Sequence, residues 1–66
     1  MVVNGEKMEL AQSGLSSLME LVHHYDLDPR AVAVEMNGEI PNREEWERIQ
    51  LADTDRIELI RFVGGG

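Results

Sequence analysis

The first ten residues read as two short alternating runs around a tight turn. Met1-Val2-Val3 leads into Asn4-Gly5, after which Lys7, Met8, Glu9 and Leu10 alternate polar and apolar. Asn-Gly accepts the positive φ of a type I′ turn, so this pattern predicts an opening β-hairpin. Ala11 to Ser16 reads as a connection. Ser17 and Glu20 then have the spacing of a capping box at a helix start. Leu18, Leu21, Val22 and Tyr25 follow at i, i+3, i+4 and i+7, one apolar stripe over about two turns. Asp28-Pro29 predicts its end, because proline disfavours helical geometry in the residue before it.

The second half returns to a period of two. Ala31 to Asn37 is predicted as a strand with Val32, Val34 and Met36 on one side and Ala33 and Glu35 on the other. Asn37-Gly38 turns it toward a short strand, Glu39-Ile40. Pro41 to Gln50 is irregular or a single helical turn carrying Trp46 and Ile49, with Leu51 anchoring the return. Asp53-Thr54-Asp55 is a polar turn, Arg56 to Val63 the last strand, and Gly64-Gly65-Gly66 ends the sequence. One helix with one apolar face must lie across one face of a sheet, which makes a two-layer α+β domain. The expected architecture is a mixed sheet of four to five strands with one main helix packed across it, an order that fits the β-grasp arrangement. Residues 1–63 form the expected domain and 64–66 a flexible tail.

The last strand carries a contradiction. Ile57, Leu59, Arg61 and Val63 point one way, and Glu58, Ile60 and Phe62 the other. Ile57 and Leu59 suit the core beneath the helix, and Glu58 marks the opposite face as open to water. Ile60 and Phe62 nevertheless lie on that open face, beside the tail. Two large apolar side chains there suggest a docking patch, although scattered exposed apolar residues are also ordinary.

Composition narrows the chemistry. Sixty-six residues make one small domain with a thin core. There is no cysteine, so disulfides, zinc-thiolate sites and thiol nucleophiles are excluded, which fits a reducing cytoplasm. No apolar run is long enough to span a membrane, and no signal-peptide pattern opens the sequence. Thirteen acidic against six basic residues give a net charge of −7. That charge repels phosphate backbones and anionic lipid and favours a basic protein partner, besides aiding solubility. His23 and His24 are adjacent on the predicted helix and point apart, whereas a helical metal pair needs i and i+4. Met8, Met19 and Met36 suit packing, Trp46 suits a cover over the core edge, and Glu44, Glu45 and Glu47 read as a solvated face. No metal site, bound cofactor or catalytic group is expected.

Three terminal glycines remove every side chain near the terminal carboxylate, which suits an end that must enter a narrow channel. By themselves they equally describe a floppy end or a cloning remnant. A free carboxylate becomes a good acyl donor once adenylated by ATP, after which a sulfur nucleophile can displace AMP. The chain has no phosphate-cradling loop for that reaction, so another enzyme would perform it.

Several runs together resemble the ThiS family of ubiquitin-like sulfur carriers. They are Asn4-Gly5-Glu6, Ser17-Leu18-Met19-Glu20-Leu21-Val22, the stretch from Val32 to Pro41, Arg43 with Trp46, and the closing run from Asp55 to Gly66. One departure is Thr54-Asp55, where ThiS proteins usually place Gly-Asp. The resemblance implies a β-grasp fold with first and last strands adjacent and parallel. It implies that an E1-like, ATP-using adenylyltransferase (ThiF) activates Gly66, that a persulfide supplies sulfur, and that the thiocarboxylate serves thiazole synthase (ThiG) in thiamine biosynthesis. Ile60, Phe62 and Val63 would contact these partners, and Gly64 and Gly65 would carry Gly66 into them. A carrier of another pathway, such as a MoaD-like one, a ubiquitin-like modifier and a β-grasp interaction module share this fold and remain alternatives.

Overall fold

The structure is a computed structural model and describes residues 1–62. Strand β1 (Val2–Val3) turns through Asn4-Gly5 into β2 (Glu6–Lys7), with which it pairs antiparallel. Both turn residues take positive φ, 51° and 82°, as the hairpin reading requires. A four-residue helical turn, α1 (Leu10–Ser13), follows, and then the main helix α2 (Leu18–His24). A 3-10 turn at Pro29–Ala31 delivers the chain into β3 (Val32–Met36), and a second at Arg43–Glu45 lies in the long return to β4 (Arg56–Arg61). The four strands form one mixed sheet in the order β2-β1-β4-β3. Strand β4 is parallel to β1 (Val2 opposite Arg56) and antiparallel to β3 (Val34 opposite Leu59). This is the β-grasp arrangement, with first and last strands adjacent at the centre.

The sheet's inner face meets α2 in one core. Leu18, Leu21, Val22, Val3, Val34 and Ile57 are fully buried, with Leu59, Val32, Leu51, Met1 and Trp46 around them. Each buried aliphatic side chain contributes about 1.5–3 kcal/mol. The capping box is present: Ser17 Oγ accepts the Glu20 N–H at 3.2 Å, and Glu20 Oε1 accepts the Ser17 N–H at 3.1 Å. Glu20 Oε1 also accepts from Ser16 N–H and Ser16 Oγ. These bonds stabilise the carboxylate and hold its pKa below the usual 4.5.

The structure departs from the sequence pattern in three places. Leu10 begins a helical turn rather than ending a strand. Pairing stops at Lys7, the Met8 N–H bonds to Met1 O, and Ser13 Oγ donates back to Leu10 O. The apolar stripe of α2 stops at Val22. Asp26 adopts φ 58°, which breaks the helix before Asp28, and Tyr25 is left 38% exposed. The expected short strand at Glu39-Ile40 is reduced to an isolated bridge between Met36 and Glu39. In the turn before β4, Thr54 does not adopt positive φ, so no glycine is needed there. The buried Asp55 carboxylate organises that turn by accepting the Ala52 N–H at 2.8 Å and Asn37 Nδ2 at 3.0 Å.

Candidate functional site

Strand β4 is paired with β3 along its length, with β1 over Arg56 and Ile57 only, and is held further by two asparagines. Asn4 Oδ1 accepts the Leu59 N–H at 2.7 Å, and Asn37 Oδ1 accepts the Arg56 N–H at 2.9 Å. Each Asn-Gly turn therefore both reverses the chain and sends a side chain to the β4 backbone. Pairing with the β3 side runs one residue past the strand, where the Phe62 N–H donates to Ala31 O at 2.9 Å. The last described residue is thus anchored, and it is the root from which the sequence continues to Gly66. Val63, Gly64, Gly65 and Gly66 lie outside the described residues.

Alternation along β4 holds from Arg56 to Ile60 and lapses at Arg61, which is exposed although in phase with Ile57 and Leu59. Ile57 and Leu59 are buried, whereas Arg56, Glu58, Ile60 and Phe62 are exposed. Ile60 is 50% and Phe62 62% exposed, despite their size. Ala33 sits opposite Ile60 and leaves that side chain without a tall neighbour, while Glu35 sits opposite Glu58.

Phe62 also lines a shallow groove of about 320 Å³ whose other walls include Ala33, Ile40, Pro41, Arg30 and Arg43. Ile40 had no assigned role in the sequence reading. Its signal is a large aliphatic side chain between a turn and a proline; it is 72% exposed. Arg30 and Asp28 form an exposed ion pair at 3.3 Å, and Arg43 Nη1 donates to Pro29 O. Hydrogen bonds from Arg30 hold the Asp28 carboxyl below its usual 3.8 and raise Arg30 in return, with Arg43 adding its charge. At such exposure the pair contributes little stability and mainly fixes the guanidinium at the groove margin.

Other candidates dissolve into structure. Trp46 is buried and donates Nε1–H to Pro41 O at 3.2 Å, closing the core edge. His23 and His24 are exposed, and the His24 ring meets Tyr25 edge-on at 5.2 Å. Met8, Met19 and Met36 are half-buried against the core, and Glu44, Glu45 and Glu47 are exposed. Among the described residues no three His, Cys, Asp or Glu side chains cluster as a metal site would need. No described helix is long and apolar enough to cross a membrane.

A family match, to the ThiS family, runs over residues 1–66. The chain is 40% identical to the sulfur carrier protein ThiS of Bacillus subtilis over 50 residues, 76% of each chain. It is 33% identical over 66 residues to a thiazole synthase of Paramagnetospirillum magneticum, covering all of this chain and 20% of that one. Among solved structures it is similar to the crystal structure of ThiS from Geobacter metallireducens. The TM-score is 0.75 at 32% identity, covering 98% of this chain and 96% of that one.

Proposed function

The chain belongs to the ThiS family, and from that premise we propose that its Gly66 carboxylate is the sulfur-carrying group. It is a small ThiS sulfur carrier of thiamine biosynthesis, not a catalyst. In the proposed cycle an E1-like adenylyltransferase binds ATP, and the Gly66 carboxylate attacks the α-phosphorus, expelling pyrophosphate. The terminal sulfur of a persulfide then attacks the acyl carbon and AMP leaves. A thiol cleaves the resulting S–S bond and releases the thiocarboxylate, which serves thiazole synthase. ATP belongs to the partner enzyme and no cofactor belongs to this chain. Gly64 and Gly65 act as the side-chain-free tail, and residues 1–63 as the body that docks. Persulfide and thiol chemistry of this kind fits a reducing cytoplasm.

The observation that carries this reading is the end of β4. Ile60 and Phe62 stand exposed at the anchored end of β4, with Val63 alone between Phe62 and the three glycines that complete the family match. An anchored root with an apolar contact beside it lets a partner hold the body rigidly while the side-chain-free end enters its active site. Val63 is assigned to the same contact.

Intact mass after incubation with an E1-like adenylyltransferase, ATP and a persulfide donor tests the proposal. The expected gain is one oxygen replaced by sulfur, located at Gly66. No gain from an enzyme that loads another ThiS would overturn it.

A further inference from the structure

We propose that Arg61 is a selectivity residue of sulfur loading: a guanidinium beside the root of the tail offers the activated Gly66 acyl group no internal amine, which reserves that group for the external sulfur nucleophile. This rests on the sulfur-carrier reading and adds what keeps the carrier from acylating itself.

The chemistry sets the problem. An acyl-adenylate reacts with amines and thiols whatever their origin. An amine would add its lone pair to the Gly66 acyl carbon, and the bond from that carbon to the AMP oxygen would break. AMP would leave with the electron pair, and the proton on nitrogen would pass to water. The product is an amide, which a persulfide does not reopen. Only about one lysine side chain in a few thousand is unprotonated at pH 7. An amine tethered a few residues from the acyl group nevertheless gains a large effective concentration over any dissolved sulfur donor. A guanidinium stays protonated in a protein and offers no such lone pair.

Three observations carry the assignment. The sequence holds no cysteine and a single lysine, Lys7, against five arginines. The structure places that lysine at the far end of the sheet. Lys7 lies opposite Val2, and Val2 opposite Arg56, where β4 begins. From there to Phe62 and across two strands the separation is roughly 22 Å at the usual strand rise and spacing. Four further residues span at most about 14 Å, and the remainder exceeds the length of a lysine side chain. Lys7 therefore does not meet Gly66 of its own chain.

Third, the cations around the tail's root are all guanidinium groups. Arg30 is paired with Asp28, and Arg43 donates to Pro29 O. Arg61 is exposed and lines a shallow groove with Asn4, Tyr25, Leu27 and Leu59. It makes no ion pair or side-chain hydrogen bond among the described residues, where the ion pair that forms joins Arg30 to Asp28. Nothing in its contacts distinguishes arginine from lysine, so the distinction lies in the chemistry of the group.

Arg61→Lys keeps the charge and puts an amine before the tail, and its thermal melt should match that of the wild type. Each protein is incubated with an E1-like adenylyltransferase and ATP, without persulfide, and its intact mass is followed. Arg61→Lys is expected to lose the mass of one water, mapped to an amide between the substituted side chain and Gly66. Wild type and Arg61→Gln should form no such product. A second arm removes the enzyme: the full chain is prepared as a Gly66 alkyl thioester. There Arg61→Lys should shed the thiol at least ~10-fold faster than the wild type and close to the same amide. A variant that stays open in both arms overturns the proposal. Closure of the thioester with none on the enzyme also overturns it, since the enzyme alone would then protect the acyl group. If the wild type gains sulfur and Arg61→Lys stays open, the carrier reading stands and this inference falls alone. A wild type that gains no sulfur from an enzyme that loads another ThiS removes the carrier reading, and the role of Arg61 with it, whatever the thioester shows.

Discussion

The two faces of β4 use alternate residues of one six-residue strand and follow opposite rules. Toward the helix, Ile57 and Leu59 are packed among Val3, Val34, Leu18 and Leu21, and their burial is a folding term. Toward solvent, Ile60 and Phe62 are equally apolar, but nothing among the described residues covers them fully. The side chains have the same hydrophobicity on both faces. The difference is where the second contacting surface comes from, which is this chain's own helix on one face and a proposed partner on the other. Stability and docking can therefore be changed independently, although the residues that govern them are neighbours.

The sharpest break is on the inner face. Ile57→Ala should cost about 2–5 kcal/mol, because the truncated side chain is fully buried and the cavity collapses only partly. In a domain this small that is a large share of the total, and thermal denaturation followed by circular dichroism should show an early or absent transition. A smaller effect is expected at the seam holding β4 in register. Asn37→Gly keeps a residue able to adopt positive φ but removes the hydrogen bonds to Asp55 and the Arg56 N–H. A loss of about 1–3 kcal/mol in urea unfolding is expected, and a loss near zero would show that the turn alone sets register.

Glu20 acts on the same inner face through the helix that covers it. Its folded pKa is depressed, so its contribution is present above the unfolded value of 4.5 and lost as pH falls through the folded value. Glu20→Gln should be less stable at neutral pH, and its stability should fall less steeply with acid than that of the wild type. Equal acid slopes in the two proteins would remove the capping carboxylate from the account. The smallest stability change belongs to the open face. Phe62→Ala should shift unfolding by less than about 1 kcal/mol, yet reduce sulfur loading of Gly66 at limiting adenylyltransferase. A strongly destabilised Phe62→Ala would erase the distinction between the faces.

How far the sequence reveals these features depends on the range of the forces involved. The capping box, the Asn-Gly turns and the alternation of β4 are local patterns, and each appears where its spacing places it. The helical turn at Leu10–Ser13 is too short to establish a period, and its leucine continues a strand-like alternation, so only the tertiary end of the β1–β2 ladder reveals it. Tyr25 fits the helical stripe by spacing, but Asp26 turns the chain out before the stripe can use it. In the site, Ile60 and Phe62 were legible because Glu58 labels their face. Ile40 was not, since its neighbourhood with Phe62 arises only when the β3 hairpin folds beside β4. The side-chain bonds of Asn4 and Asn37 to β4 were hidden for the same reason: each spans a long stretch of sequence. The chemistry of Gly66 came from resemblance, because a carboxylate that reacts in another protein's active site leaves no local catalytic pattern in its own chain.

The indole at position 46 has an optical consequence. It is the chain's single tryptophan, it is 2% exposed, and its ring N–H is tied to Pro41 O. It also lines the groove that contains Phe62 and Ile40. Intrinsic emission therefore samples one spot, the floor beneath the docking groove. In the folded chain it should resist iodide quenching, and unfolding should shift it to longer wavelength. Changes in the groove wall can thus be followed without attaching a dye, leaving the carboxyl terminus unmodified.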